Sequence, residues 1–213
     1  MSHIAVEKPK LKRSNHKNQF IEKSIQGVEN PIELARVKNF IRFVFTTAGY
    51  NKSEYASVNL DPWSTWFYVM DEEGAILSAM RVVEKKPNNF IPLELGVILG
   101  SNPPQRYAVI EKKVADWNNV AFINSPKGGR AALQNFQMVA KHCIEQGYEK
   151  VYGMYPQRSK AIERIYFSAG AQKSTQFRIP IYFPGDYSNG ELVLLNPIEI
   201  NKTSLQKIAA RRS

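Results

Sequence analysis

The chain has 213 residues, of which 43% are hydrophobic and 23% are charged, and its formal net charge is +10. This composition is ordinary for a globular domain with its own core, and no apolar run reaches the roughly 18–20 residues that span a bilayer. The one cysteine, Cys143, excludes an internal disulfide and lies on the apolar face of a predicted helix, which favours a buried packing role. Because the N-terminus lacks an apolar signal segment, we expect a cytoplasmic protein.

Most of the positive charge lies at the two ends of the chain. Residues 1–29 carry six Lys or Arg against three Glu, and residues 201–213 carry four against none. We predict a basic flexible arm over 1–29, a folded domain over 30–200 and a basic tail over 201–213. Contact of these ends with a membrane surface is left open. The near-neutral body, without interleaved basic and aromatic residues, disfavours a nucleic-acid-binding module.

The first half of the domain reads as a helix followed by a hairpin. Asn30-Pro31-Ile32-Glu33 is typical of a helix start, apolar residues recur at helical spacing to position 44, and Gly49 predicts the end. Residues 51–64 read as a loop. Strands are predicted over 65–70 and 75–83 around an Asp-Glu-Glu-Gly turn.

The middle of the chain contains the pattern that carries most chemical information. Residues 90–100 read as irregular, and residues 107–114 fit a short helix or a strand equally well. A strand over 116–124 then leads into a Pro-Lys-Gly-Gly-Arg turn, and a helix with a regular apolar face ends at Gly147. A glycine-rich turn at a helix N-terminus binds anions through free N–H groups and the helix dipole, although many such turns are plain connections.

The last third predicts two more strands and two helices. A short strand covers 150–154 and a helix covers 158–169. Alternating apolar residues predict a strand over 177–183, where Pro180 indicates an edge or a bulge. A final strand is expected over 191–196, and a short basic helix from Thr203 onward.

The order of these elements, with Pro126-x-x-Gly129-x-Ala131 after the central strand, resembles the GNAT superfamily of N-acyltransferases. This resemblance implies an α/β (α+β) fold, with a mixed, mostly antiparallel sheet, helices on both faces and a splayed central strand. The segment I-E-R-I-Y-F-S-A-G-A is similar to a second motif of the family. It gives Tyr166 the place of the tyrosine that protonates the leaving thiolate, and Ser159 the place of a cofactor-binding asparagine. The alternative for Tyr166 is a core residue.

Within the superfamily, the chain is most similar to the N-acyl amino acid synthase and acyl-homoserine-lactone synthase branch. The similarity lies in the hairpin that ends near Arg81, the Pro92-Leu93-Glu94 element and the Asp116-to-Ala121 segment. The resemblance implies substrate contacts at four residues: Arg81, Trp117, Asn118 and Asn119. The chain departs from the branch by having Asp116 where a glutamate is usual and Asn118-Asn119 where Ser-Arg is usual.

The resemblance also assigns the chemistry of acyl transfer. Asp116 is the predicted base for the amine proton, and Glu94 and Glu111 are fallbacks. The pantetheine arm of the donor is expected along Val120, Ala121 and Phe122. Its phosphate is expected at the helix start, which comprises Lys127, Gly128, Gly129, Arg130 and Ala131. Histidines 3, 16 and 142 form no spaced pattern, so no metal site is predicted.

The sequence therefore predicts an acyltransferase that moves an acyl group from coenzyme A or acyl carrier protein to a primary amine, for example an amino acid. An acidic carrier protein would suit a basic face made of Lys112, Lys113, Lys127, Arg130, Arg158 and Lys160. Two alternatives remain: an acetyl-coenzyme-A-dependent N-acetyltransferase of a small amine or a protein, and a catalytically inactive GNAT-like binding protein.

Overall fold

The computed structural model of the protein describes residues 19–51, 58–168 and 170–211. The helices of this part are α1 (Pro31–Thr47), α2 (Pro92–Leu95), α3 (Pro126–Glu145), α4 (Lys160–Ser168) and α5 (Lys202–Ala209). The strands of the large sheet are β1 (Ile21–Gln26), β2 (Ser64–Met70), β3 (Ile76–Glu84), β4 (Val97–Ile98), β5 (Val114–Phe122), β6 (Lys150–Pro156), β7 (Gln172–Lys173), β8 (Ile181–Tyr182) and β11 (Leu195–Asn201). A small hairpin pairs β9 (Tyr187–Ser188) with β10 (Glu191–Leu192).

The large sheet has the strand order β1-β2-β3-β5-β6-β11-β8-β4, and β7 also pairs with β11. The β5–β6 pair is parallel and the other pairs in the sheet are antiparallel. The fold is therefore the predicted mixed, mostly antiparallel α/β sheet. The exceptional parallel pair lies at its centre, where α3 connects β5 to β6.

Helices cover both faces of the sheet. On one face, α3, α4 and α5 bury a core around Trp117, Phe136, Tyr166 and Ile208. On the other face, α1 covers the strands on the β1 side, and α2 with its flanking loops covers β5, β6 and β8. Polar residues of β3 and β5 lie between these two apolar clusters. No helix in the described ranges is long and apolar enough to cross a membrane.

The predicted start of α1 and the β2–β3 hairpin are confirmed. The Asn30 side chain accepts a hydrogen bond from the Glu33 N–H at 3.1 Å, and Pro31 occupies the first helical position, where no N–H is needed. The hairpin turn holds Gly74 at a φ of 82°, in the left-handed region that glycine tolerates. Cys143 is buried on α3, as predicted.

The ends of the described chain correct the predicted arm and tail. Residues 1–18 lie outside the described residues, but Ile21–Gln26 forms the edge strand β1, paired with β2. Its side chains are mostly exposed, so its sequence lacks the apolar signal of a strand. At the other end, β11 extends through residue 201 and α5 packs on α3, burying Leu205 and Ile208.

Three further expectations are corrected. The Pro-Lys-Gly-Gly-Arg segment is the first turn of α3, because Ser125 caps the helix before Pro126. Residues 107–113 form neither helix nor strand, and β5 begins at Val114. Of the alternating stretch 177–183, only Ile181–Tyr182 pairs as a strand, since Ser174 and Tyr107 bind the backbone N–H groups of Phe177 and Ile179.

Candidate functional site

The parallel strands β5 and β6 part at the centre of the sheet. The two strands pair from Val114 beside Lys150 to Trp117 beside Gly153, and beyond these residues β5 pairs with β3 while β6 pairs with β11. We call the space between the diverging ends the β5–β6 cleft, with Trp117 and Gly153 at its vertex. The carboxyl ends of parallel strands at a change of strand order are a common ligand site in α/β sheets.

A β-bulge in β5 shapes one wall of this cleft. The β3–β5 register shifts between Ala79 and Arg81, and Asn119 has a φ of 54°. Asparagine tolerates this left-handed conformation better than most residues. After the bulge, Val120 and Phe122 pack toward the α3 side, and Ala121 packs under α1. Within the described chain no strand pairs with the cleft side of this segment, so its main chain is open to an extended ligand.

Asp116 lies one residue before the vertex and is fully buried, with 0% of its surface exposed. Its carboxylate accepts hydrogen bonds from the Leu93 N–H at 3.0 Å and from the Asn118 side-chain amide at 2.9 Å. Burial raises the pKa of Asp116 to about 6, against the opposing effects of these hydrogen bonds and of Arg81. A carboxylate with this pKa is ionised at neutral pH yet accepts a proton readily.

Arg81 lies across from Asn118 in the β3–β5 pair. Its Nε donates to Asn118 Oδ1 at 2.7 Å, and its guanidinium lies 5.1 Å from the centre of the Trp66 ring. Burial lowers the pKa of Arg81 to about 10, while the charges of Asp116 and Asp61 act in the opposite direction. In the described part of the chain, no carboxylate lies within 4.0 Å of this guanidinium as an ion-pair partner. It therefore retains capacity to bind an incoming carboxylate.

An aromatic cluster lies on the α3–α4 side of the vertex. The Trp117 ring centre is 5.0 Å from that of Phe136 and 6.5 Å from that of Tyr166, with the latter pair edge to face. Tyr166 is almost fully buried, and burial together with the charge of Asp116 raises its pKa. A neutral phenol is the state needed in a proton donor. The side chain of Trp117, one of the predicted substrate contacts, is fully buried in this cluster.

The N-terminus of α3 lies at the end of β5, but protein groups already engage much of it. Ser125 Oγ accepts the Gly128 N–H at 3.0 Å, and Lys127 Nζ forms an ion pair with Asp71 at 2.9 Å. A Cβ on Gly128 would lie 2.0 Å from the Ile123 carbonyl oxygen, so this glycine is required by the close strand–helix connection.

The remaining predicted phosphate-binding residues divide into two groups. Ala131 is buried against Val69 and Leu77, whereas Arg130 is exposed and a Cβ on Gly129 would meet nothing within 4 Å. Ser159 is half-buried just before α4, where its carbonyl accepts the Glu163 N–H. The backbone N–H groups of Gly129 and Ser159 are already paired, with the carbonyls of Ser125 at 2.8 Å and Pro156 at 2.9 Å. The groups left open on the two helix starts are therefore the side chains of Arg130 and Ser159.

Glu94 forms a separate, fully engaged cluster. Its two oxygens accept from the backbone N–H groups of Ile91 and Val109, both at 2.9 Å, and from Lys85 Nζ at 2.8 and 3.0 Å. The other fallback base, Glu111, accepts from the Tyr152 hydroxyl at 2.9 Å. Glu94 is therefore a structural acceptor for the loops beside the sheet, whereas Oε2 of Glu111 is buried without a partner among the described residues.

The predicted basic face is split by the fold. Lys112 and Lys113 precede β5, whereas Lys127 and Arg130 follow it at the opposite end. A strand of this length separates the two pairs by roughly 25–30 Å. Lys127, Arg158 and Lys160 also have acidic partners in Asp71, Glu191 and Glu163. The six residues therefore do not form one surface.

Several contributors to the site were missed from the sequence. The Leu93 N–H on Asp116 and the Trp66 ring under Arg81 arise from long-range contacts with no local signal. Ser125 was detectable, because serine directly before Pro126 is typical of a helix cap.

Comparisons with known proteins bear on the fold. No family model of protein sequences matches the chain, and no curated protein sequence matches it. Among solved structures, FeeM, an N-acyl amino acid synthase from uncultured soil microbes, superposes with a TM-score of 0.64 at 10% identity, covering 92% of this chain and 97% of FeeM. The chain has a GNAT-like fold.

Two further structures are similar to this GNAT-like chain. BjaI, a CoA-dependent acyl-homoserine lactone synthase, gives a TM-score of 0.52 at 14% identity, covering 89% of this chain and 88% of BjaI. An IAA acetyltransferase from Bacillus cereus gives 0.53 at 10% identity, covering 86% of this chain and 99% of the other. The predicted resemblance is therefore confirmed as a likeness of fold, and identities this low carry the fold alone.

Proposed function

We propose that this GNAT-like chain is an N-acyltransferase that moves an acyl group from a pantetheine thioester to a primary amine. One observation carries the proposal: a buried carboxylate with a raised pKa, Asp116, lies beside the vertex of a cleft between two parallel strands. Acyl transfer to nitrogen needs a base beside a thioester that is held in place, and a buried carboxylate next to parting strands supports such a site.

In the proposed reaction Asp116 takes a proton from the acceptor ammonium, directly or through water. The freed amine nitrogen forms a bond to the thioester carbonyl carbon, and the bond from that carbon to sulfur breaks. Tyr166 gives its phenolic proton to the leaving thiolate. The attached nitrogen then loses its second proton, which reprotonates Tyr166 through water, and the proton on Asp116 returns to solvent. The products are an amide, a free thiol and one released proton, so atoms and charge balance.

The donor is proposed to lie along the open main chain of Val120, Ala121 and Phe122. Its proposed phosphate contacts are the side chains of Arg130 and Ser159, and Gly129 would allow close approach at the start of α3, since a helix N-terminus favours negative charge. Coenzyme A and acyl carrier protein both present this phosphate. The split of the basic residues weakens the case for the carrier protein, so we place coenzyme A first.

The acceptor is proposed to carry a carboxylate, as an amino acid does. Arg81 supports this choice because its guanidinium is largely buried, lies close to Asp116 and has no ion-pair partner among the described residues. A carboxylate on Arg81 would place the neighbouring amine near the proposed base. Asn118, which bridges Arg81 and Asp116, keeps the two groups in register.

The experiment is a matrix of donors and acceptors. Acetyl-, octanoyl- and palmitoyl-thioesters, each on coenzyme A and on carrier protein, are incubated with the protein and the common amino acids, with amide formation followed by mass spectrometry. Thermal shift with each donor alone reports binding. We expect amide formation in the wild type and its loss in Asp116→Asn; a protein that neither binds nor consumes any thioester would refute the proposal.

A second candidate, an acetyltransferase, is favoured by the aromatic cluster. Trp117, Phe136 and Tyr166 fill the α3–α4 side of the vertex and leave little room for a long acyl chain. Turnover of the acetyl donor, without turnover of the octanoyl and palmitoyl donors, would favour this second candidate.

A further inference from the structure

A pocket separate from the β5–β6 cleft lies where the end of α3 meets β2 and β3, and its volume is about 130 Å³. We call it the α3-end pocket. None of its lining residues belongs to the candidate site, and the nearest part of α3 lies roughly 18 Å along the helix from Arg130. Six of the side chains that line it are polar or aromatic: Trp63, Thr65, Glu84, His142, Gln146 and Tyr148.

Several polar side chains of this pocket have no partner in the described part of the chain. The ring nitrogens of His142, the Tyr148 hydroxyl and the Trp63 indole N–H make no hydrogen bond to another described residue. Tyr148 is largely buried and His142 and Trp63 are half-buried. Their polar atoms nevertheless remain accessible, unlike the enclosed indole N–H groups of Trp66 and Trp117. These groups are therefore available to a molecule that enters the pocket.

Two of these groups are neutral hydrogen-bond acceptors held in place by aromatic packing. The His142 ring centre lies 5.0 Å from that of Phe67 and 6.4 Å from that of Tyr148. Burial lowers the pKa of His142, against the charges of Glu145 and Glu84, so one of its ring nitrogens can accept a hydrogen bond at neutral pH. Burial and the charge of Glu84 raise the pKa of Tyr148, so its hydroxyl stays neutral.

The charges around the pocket favour a cation. Glu84 influences the pKa of both His142 and Tyr148, and the C-terminal end of α3 adds partial negative charge. Lys86 pairs with Glu84 Oε1 at 2.6 Å but leaves Oε2 open, and the side chain of Lys86 is half-exposed, so solvent screens its charge. Aromatic rings such as that of Trp63 also attract cations through their faces.

We propose that the α3-end pocket binds a small organic cation with several N–H donors, either a guanidinium or a primary ammonium group. Glu84 balances its charge, and His142 and Tyr148 accept its N–H groups. A volume of about 130 Å³ holds roughly four waters, whereas drug-sized ligands need roughly 300 Å³ or more. The ligand is therefore a small molecule, or the end group of a longer molecule that extends into solvent. This site is independent of the proposed acyl transfer.

The first test compares charged and neutral molecules of the same shape. Methylguanidinium and methylammonium are the cationic probes, and methylurea is the neutral counterpart of methylguanidinium. NMR titration follows the imidazole signals of His142 and the indole N–H signal of Trp63, assigned with His142→Gln and Trp63→Phe. We expect both cations to shift these signals in a saturable way and methylurea to bind roughly tenfold more weakly or less. The tighter cation identifies which of the two groups the pocket prefers.

The second test removes the charge of the pocket. Glu84→Gln keeps the side-chain shape, and the affinity for methylguanidinium should fall roughly 10–100-fold, the contribution of one charged hydrogen bond. Glu72→Gln is the matched control, because it makes the same change in the turn at the other end of the β2–β3 hairpin. Its affinity should equal that of the wild type. Tyr148→Phe, which keeps the ring and removes one acceptor, should also weaken binding and decides the matter if Glu84→Gln folds poorly.

Three results would overturn the inference. They are equal affinities for methylurea and methylguanidinium, equal losses in Glu84→Gln and Glu72→Gln, and the absence of a saturable shift at His142 and Trp63 with either cation.

Discussion

Two buried carboxylates lie close together on one face of the sheet, and their surroundings differ. Glu94 accepts two backbone N–H groups and the ammonium of Lys85, so each of its oxygens has two donors. Asp116 has one backbone N–H and one neutral amide, and it has no direct ion pair. The negative charge of Glu94 is thus balanced by its four donor contacts, and the residue holds two loops together. The negative charge of Asp116 is less well stabilised in its buried position, so protonation of Asp116 is favoured. Burial alone does not distinguish a structural carboxylate from a reactive one; the donors around it do.

The largest expected effect is the loss of activity when Asp116 is replaced. Asp116→Asn should lower kcat/KM for amide formation by roughly 10²–10⁴-fold, because a general base contributes about that much. The fold should persist, since the amide can still accept from Leu93. Steady-state rates and circular dichroism check both parts, and retention of more than about a tenth of the activity would remove Asp116 from the role of base.

Glu94 should show the reverse pattern. Glu94→Ala leaves Lys85 buried without its partner and two N–H groups unpaired, so we expect a loss of about 3–5 kcal/mol in the free energy of unfolding. Urea denaturation measures this loss. Lys85→Met with Glu94→Gln, which removes both charges, is the control and should recover part of it. A stable but inactive Glu94→Ala would transfer the catalytic role to Glu94.

The pH dependence of stability should show directly that the buried charge of Asp116 is poorly stabilised. The pKa of Asp116 is about 6 in the folded protein, raised from 3.8, so the folded state binds its proton more tightly than the unfolded state. Its ionisation therefore destabilises the protein as pH rises from about 4 through 6. Relative to Asp116→Asn, the wild type should gain about 1 kcal/mol of unfolding free energy between pH 7 and pH 5. Parallel stability curves for the two proteins would contradict this.

A further expected change concerns Arg81, which Asn118 links to Asp116. Arg81→Met keeps the stem over Trp66 and removes the charge, so the KM for an amino acid acceptor should rise about 10–100-fold, the value of one or two charged hydrogen bonds. The matching decarboxylated amine is the control acceptor, and its KM should stay constant. Equal changes for both acceptors would argue against carboxylate recognition.

The local signals in the sequence predicted the framework well. Asn30 and Pro31 fix the start of α1, the Asp-Glu-Glu-Gly turn closes a hairpin, and the order of elements around β5 agrees with the GNAT-like fold. These features depend on neighbours in the chain. The edge strand β1 was missed because exposed strands do not need apolar alternation, and α5 was underestimated because only Leu205 and Ile208 carry its contact with the core.

The candidate site was harder to predict because its determinants are contacts between distant segments. The sequence indicated Asp116, Arg81 and Tyr166, and the structure brings Asp116 and Arg81 together through Asn118. It did not reveal that Lys127 pairs with Asp71 or that Glu94 is saturated by Lys85 and two loops. Residue type suggests the available chemistry, while partners 9 to 56 positions away decide whether a side chain is free to react.

The place of β11 has a consequence for how the protein is made. This strand, residues 195–201, lies between β6 and β8, so the sheet gains this interior strand only after all of its other strands have been synthesised. Until β11 forms, β6 presents an unpaired edge on that side. A chain that stops before residue 195 is therefore expected to aggregate through that edge.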